Sequence, residues 1–269
     1  MYKRQGVLDA HGLPRAAVTL LEGRAAFRAF LDQDDLVDLL IARGSGGFVK
    51  MVQETTRIPV LGHAEGLCHL YLHDDADPEM AAALAVDAKV SYPAACNAIE
   101  TLLWHQGASA ALDRCVAALA AEGVELRGCA ASVRRHPDMV AADDGDWDAE
   151  YSEKVLAVRR VNDLEGALEH IGRHGSGHTE AIVAADAGAA ETFLRSVDAA
   201  CVFHNASTRF ADGFRFGLGG EVGISTGKLH ARGPVGVEGL LTTRWILRGQ
   251  GDITATFTTG ARRFIHEDL

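Results

Sequence analysis

The chain has 269 residues, 48% hydrophobic and 23% charged, enough core material for one large globular domain or two small ones. It has no apolar run near the roughly 18 residues of a membrane span, and Met1-Tyr2-Lys3-Arg4-Gln5-Gly6 lacks the apolar stretch of a signal peptide, so a cytoplasmic protein without a membrane partner is expected. A net charge of −11 with no basic tract argues against nucleic acid, and five cysteines (Cys68, Cys96, Cys115, Cys129, Cys201) with no CxxC pair argue against a disulfide framework.

In chain order, residues 16–21 read as a short buried strand, and Ala25, Ala26, Phe27, Phe30 and Leu31 as one face of a helix. A second apolar run, 36–41, ends at Arg43-Gly44-Ser45-Gly46-Gly47; a short helix with Phe48, Val49, Met51 and Val52 follows, then a strand at 58–61. Strands alternating with helices at this spacing predict βαβ units and a parallel sheet. The turn at 44–47 has the layout of a phosphate cradle, with glycines for close backbone approach and a helix N-terminus presenting N–H groups. It lacks the full GxGxxG spacing, and a plain tight turn fits equally well. Glu65 reads as a loop carboxylate, and 67–72 as an alternating strand. His69 and His73 lie in or beside that strand, and with no HExxH or Cys/His quartet in the chain no metal site is expected.

Asp77-Pro78-Glu79 has the N-cap and first-turn residues of a helix that delivers the chain to Cys96. After Pro93, the apolar positions Ala98, Ile99, Leu102 and Leu103 recur at helical spacing, which puts Cys96 in or beside a helix's first turn. Unpaired N–H groups and the helix dipole there favour a thiolate, the attacking form of a nucleophilic cysteine. The other reading is a small buried cysteine packed with Ile99 and Leu103. Helix 110–121 and strand 124–126 follow, then an acidic run at 143–151 expected as a solvated loop. Strand 155–161, a helix capped by Asp163, strand 181–184, a helix through Phe193 and strand 199–203 make a second αβ set. The loop His204-Asn205-Ala206-Ser207-Thr208-Arg209-Phe210 combines hydroxyls, an amide and an arginine, a set suited to carboxylate or phosphate; a polar loop with Arg209 in a surface ion pair is the alternative. Residues 213–227 are glycine-rich, and the tail at 253–264 alternates like an edge strand.

Pro93-Ala94-Ala95-Cys96-Asn97-Ala98-Ile99-Glu100-Thr101-Leu102-Leu103 resembles the nucleophile segment of the glutamate-5-semialdehyde dehydrogenases, also called gamma-glutamyl phosphate reductases, in the aldehyde dehydrogenase superfamily. The resemblance extends to Asp38-Leu39-Leu40-Ile41-Ala42-Arg43-Gly44, Ile58-Pro59-Val60-Leu61-Gly62-His63, Gly175-Ser176-Gly177-His178-Thr179-Glu180-Ala181-Ile182, Asn205-Ala206-Ser207-Thr208-Arg209-Phe210-Ala211-Asp212-Gly213 and Gly223-Ile224-Ser225-Thr226-Gly227-Lys228-Leu229-His230-Ala231-Arg232-Gly233-Pro234. It implies an α/β fold of the aldehyde dehydrogenase type. Residues 1–82 would be part of a Rossmann-type cofactor domain, 83–232 the α/β catalytic domain, and 233–269 a C-terminal return with an oligomerisation strand. It further implies NADPH-dependent reduction of L-glutamyl 5-phosphate to L-glutamate 5-semialdehyde by a homo-oligomer, with Cys96 as nucleophile. Arg43, Gly44, Ser45, Gly46 and Glu150 would then contact NADPH/NADP, Glu150 through the nicotinamide ribose unless it is a plain surface carboxylate. Asn205, Ser207, Thr208 and Arg209 would contact the small-molecule substrate. The alternatives are another acylating or oxidising aldehyde dehydrogenase, or a non-catalytic fragment of the fold. The family's first strands, a lysine-containing nucleotide-binding segment and an oxyanion asparagine are expected upstream of Met1, so that the chain alone would show little activity.

Overall fold

The computed structural model describes residues 2–62, 65–228 and 230–265; His63, Ala64 and Leu229, which belong to the resembling segments, lie outside them. Helices α1 (Tyr2–Ala10) and α2 (Gly23–Phe30) precede a parallel pair, β1 (Leu40–Ile41) and β2 (Val60–Leu61), connected through α3 (Gly46–Thr55). Leu31, Leu40, Val49, Val52 and Ile58 close a small core under this unit. The strand expected at 16–21 does not form. Arg15–Ala17 is a 3-10 turn and Val18, Leu20 and Leu21 are exposed, so the run has no buried face to hold it.

The chain then builds one sheet from β3 (Cys68–Leu72), β4 (Ile99–His105), β5 (Glu125–Gly128), β6 (Val140–Ala141), β7 (Val155–Val161), β8 (Thr179–Val183) and β9 (Cys201–His204). Its order is β6-β5-β7-β4-β3-β8-β9, and every neighbouring pair is parallel. α4 (Pro78–Val90) and α5 (Ser109–Ala121) supply the main core with the alanine face of Ala81, Ala85 and Ala88 and with Leu112, Cys115 and Leu119, packed on Leu70, Leu72, Ile99 and Leu102. Each fully buried leucine contributes about 1.5–3 kcal/mol. α6 (Ala130–Arg135) links β5 to β6. α7 (Leu164–His174) and α8 (Ala187–Ser196) pack with Tyr71, Leu103, Ile182 and Phe193 in a second core. As expected, Asp77 and Asp163 cap α4 and α7, accepting from Met80 N and Gly166 N at 2.8 Å each. A hairpin of β10 (Gly223–Ser225) and β11 (Gly233–Val235) and a short helix α9 (Thr254–Thr258) follow.

Several expectations are corrected. The run from Ala98 to Leu103 is strand, not helix: β4 is covered on both sides, so its sequence lacks polar alternation and its apolar spacing mimics a helical stripe. Cys96 therefore sits on a turn closed by Ala95 N to Tyr92 O (3.1 Å) and Ala98 N to Ala95 O (2.8 Å), not in the first turn of a helix. β3 is likewise buried throughout rather than alternating. The acidic run is not fully solvated: Asp144–Asp148 is a 3-10 helix with a capping box, and Asp146 is buried because Arg127 Nη1 donates to it at 2.9 Å. Within the tail at 253–264 no edge strand forms: Thr254–Thr258 is the short helix α9, and the hydroxyls of Thr256, Thr258 and Thr259 bond to carbonyls three or four residues back. The expected boundary between 82 and 83 falls within α4, and the large sheet starts at Cys68. The boundary at 232/233 separates β10 from its partner β11. No helix among the described residues is long and apolar enough to cross a membrane.

Candidate functional site

The ends of the strands define the site. An open cavity of about 400 Å³ lies between the carboxyl ends of β1 and β2 and the amino-terminal edge of the large sheet. Residues 41–44, Leu61 and Gly62 form one wall; Tyr92 and residues 94–97 form another; Arg209, Ala211, Asp212, residues 221–225 and Val235 complete it. The small unit thus follows the rule that open parallel sheets bind ligands beyond their carboxyl ends. The large sheet does not, because Cys96 precedes β4 and lies at its amino end.

Three contacts hold this corner together. Cys68 Sγ donates to Cys96 O at 3.3 Å, tying the turn to the first residue of β3. Asn97 Nδ2 donates to Ala211 O at 2.9 Å, tying it to the segment that bears Arg209. Arg209 Nε donates to Ser91 Oγ at 3.1 Å, and its guanidinium lies 6.0 Å from the centre of the Tyr92 ring.

The electrostatics differ from the sequence expectation. Burial pushes the Cys96 thiol up to about 11; the carboxylates of Glu221 and Glu150 add to that, and Arg209 opposes it. The lowered thiol is Cys129 instead. Burial raises it, but hydrogen bonds with Arg160 N and Ser132 Oγ, both at 3.3 Å, and with the amides of Ala131 and Ser132 outweigh that effect.

The structure brings Cys96, Arg43, Gly44 and Arg209 onto one cavity. The other named residues stand elsewhere. Asn205 has a left-handed backbone (φ 52°), and its amide bonds Ala184 N (3.0 Å) and Ala184 O (2.9 Å), closing its own loop onto β8. Buried Ser207 accepts from Arg209 N at 3.3 Å and so shapes the arginine's turn. Thr208 is fully buried. Glu65 is exposed in a loop, and Glu150 is exposed outside the cavity wall.

Ser45 is the N-cap of α3, where Phe48 N and Val49 N donate to its carbonyl at 2.9 and 3.0 Å. The amides of Gly46 and Gly47 precede any intrahelical acceptor, and a Cβ on Gly47 would meet nothing within 4 Å. With exposed Arg43 beside it, this helix start fits the phosphate of a dinucleotide. Gly44 has another reason to be glycine: a Cβ there would lie 2.8 Å from Phe48 Cδ1.

Sequence reasoning missed Asn97, Asp212 and Glu221 on the cavity, and the buried pair Lys89–Glu100 behind it. The pair had a legible signal. Each is a lone charge inside an apolar run, Ala88-Lys89-Val90 and Ile99-Glu100-Thr101-Leu102.

No family model matches the chain. It is 55% identical over 265 residues to the gamma-glutamyl phosphate reductase of Synechococcus sp. (strain JA-3-3Ab), covering 98% of the chain and 58% of that protein. It is 51% identical over 260 residues to that of Natronomonas pharaonis, covering 96% and 59%. The crystal structure of the Thermotoga maritima gamma-glutamyl phosphate reductase superposes with a TM-score of 0.89 at 36% identity, covering 93% of this chain and 61% of that one. An acetylating aldehyde dehydrogenase from Geobacillus thermoglucosidasius superposes at 0.67 with 18% identity, covering 93% and 66%, which shows a shared fold. The chain thus spans about three fifths of the curated relatives it matches.

Proposed function

We propose that the chain is the corresponding part of a gamma-glutamyl phosphate reductase, which it resembles at 55% identity, and that its cavity carries acyl transfer in the NADPH-dependent reduction of L-glutamyl 5-phosphate to L-glutamate 5-semialdehyde and phosphate. The observation that carries this reading is that Cys96, Arg43 and Arg209, from three separate segments, face one cavity. Cys96 Sγ, as thiolate, bonds to the acyl carbon; the carbon–oxygen bond to phosphate breaks and its electron pair leaves with phosphate, giving a thioester. Arg209, held by Ser91, offers a cation to an anionic group of the substrate. Arg209 is also the cation that favours the thiolate. The α3 N-terminus with Arg43, Gly44, Ser45 and Gly46 would hold the cofactor phosphate, and Glu150 the nicotinamide ribose. When bound, the nicotinamide supplies the hydride that reduces the acyl group. The proposal includes a cytoplasmic setting and a homo-oligomeric complete enzyme.

The test is an assay of the complete enzyme bearing this sequence for oxidation of glutamate semialdehyde. Turnover that requires phosphate and NADP, without coenzyme A, is expected. Turnover that requires coenzyme A and ignores phosphate contradicts the proposal.

A further inference from the structure

The loop carrying Glu150 is gripped from beneath by a buried ion pair. Lys89 on α4 is fully buried and Glu100 on β4 is 2% exposed, and Lys89 Nζ lies 2.5 Å from Glu100 Oε2. Glu100 is four residues past Cys96 on the same turn-to-strand segment. Its second oxygen, Oε1, accepts from Ser152 N at 3.2 Å. Ser152 has φ 56°, a left-handed conformation that a serine holds only where its surroundings enforce it. Neighbouring Tyr151 is fixed from the other side: its hydroxyl donates to Asp146 Oδ1 at 2.7 Å, and Arg127 lies 5.2 Å from its ring centre. A buried ion pair is a poor source of stability, since apolar residues of the same volume often serve as well. This one must therefore be explained by what it holds.

We propose that Lys89–Glu100 is a positioning pair, whose carboxylate fixes the Ser152 amide and so holds the loop that carries Glu150 in its place outside the Cys96 cavity, ready for the cofactor ribose. This rests on the reading of that cavity as the reaction centre. Lys89 keeps the carboxylate in register in an apolar setting, and Glu100 links the strand that carries Cys96 to the loop that carries Glu150. The groups that set the Cys96 thiol by charge are Glu221, Glu150 and Arg209, so displacement of Glu150 is readable at the sulfur.

The experiment measures, on the 269-residue chain, the pH midpoint of Cys96 alkylation by iodoacetamide, the melting temperature and NADPH affinity by fluorescence. Glu150→Gln gives the reference shift, a lowered midpoint. The double variants Lys89→Met/Glu100→Leu and Lys89→Met/Glu100→Gln remove the same charges, and of the two only the glutamine keeps an oxygen that can accept from Ser152 N. The leucine variant is expected to melt near the glutamine variant yet to have the lower midpoint, by about the shift of Glu150→Gln. A folded leucine variant with the midpoint of the glutamine variant overturns the proposal. If that variant does not fold, hydrogen exchange of the wild-type chain decides: the Ser152 amide should exchange on the order of 100-fold more slowly than other amides of its loop, and unprotected exchange overturns the proposal. Loss of NADPH affinity in both Glu150→Gln and the leucine variant supports the ribose contact. If the midpoint shifts but NADPH affinity does not, the ribose reading of Glu150 fails while the positioning pair stands.

Discussion

Gly66 backs directly onto Cys96: a Cβ at residue 66 would lie 2.4 Å from the Cys96 carbonyl oxygen and 2.7 Å from its Cα. These are backbone atoms and cannot swing aside, so the turn that presents the thiol is seated on the absence of a side chain. Gly66→Ala must displace Cys96 or the start of β3. Overpacking of this kind typically costs about 1–3 kcal/mol, while a shift of about 1 Å at a reacting atom can cost about 10² in rate. The complete enzyme should therefore lose activity well beyond its loss of stability. An active Gly66→Ala enzyme would remove Cys96 from the chemistry.

Reactivity and function should separate between two cysteines. At pH 8, a limiting amount of iodoacetamide on the free chain should label Cys129 before Cys96, because hydrogen bonds hold the first thiol low and burial holds the second up at about 11. Cys115, fully buried and pushed up to about 12, should be the slowest of the three. Peptide mass mapping reads the order. In the complete enzyme, Cys96→Ala should abolish turnover, whereas Cys129→Ala and Cys115→Ala should not.

The sequence conveyed the alternation of strands and helices well, because caps such as Asp77 and Asp163 and the amphipathic stripe of α7 are local signals. It misread β4, where burial on both faces erased the alternation that marks a strand. That one error also misplaced the electrostatics of Cys96: it sits on a turn where burial, Glu221 and Glu150 raise the thiol and Arg209 opposes them. In the candidate site, Arg43, Gly44, Cys96 and Arg209 were legible as motif residues. Asp212 and Glu221 were not, since only the tertiary path of the glycine-rich segment brings them to the cavity.

His170 makes the fold acid-sensitive. It is buried against His69, Trp147 and His174, and both its ring nitrogens lack a partner among the described residues. Burial, then His69 and Arg159, depress it to about 2. The folded state therefore excludes a proton that the unfolded chain binds below 6.5, so this contribution is complete above pH 6.5 and is lost as pH falls toward 2. Between pH 6.5 and 5, wild type should lose up to about 1.4 kcal/mol per pH unit through this group. Urea unfolding of His170→Leu should show a shallower loss; an identical pH slope would contradict the assignment.

Arg209 lies between Ser91 and the cavity. If it clamps an anionic group of the substrate, Arg209→Lys keeps the charge but loses the planar fork. The substrate KM of the complete enzyme should rise at least several-fold with little change in cofactor KM. An unchanged substrate KM returns Arg209 to a structural role on Ser91.

The most direct measurement omits the cofactor altogether. The 269-residue chain is mixed with L-glutamyl 5-phosphate, quenched in acid and mapped by peptide mass. A thioester at Cys96, absent in Cys96→Ala, with phosphate released in equal amount, is the result expected of a cysteine that attacks the acyl carbon. Acylation of Cys129 with Cys96 left free, or phosphate release that Cys96→Ala does not diminish, would contradict it.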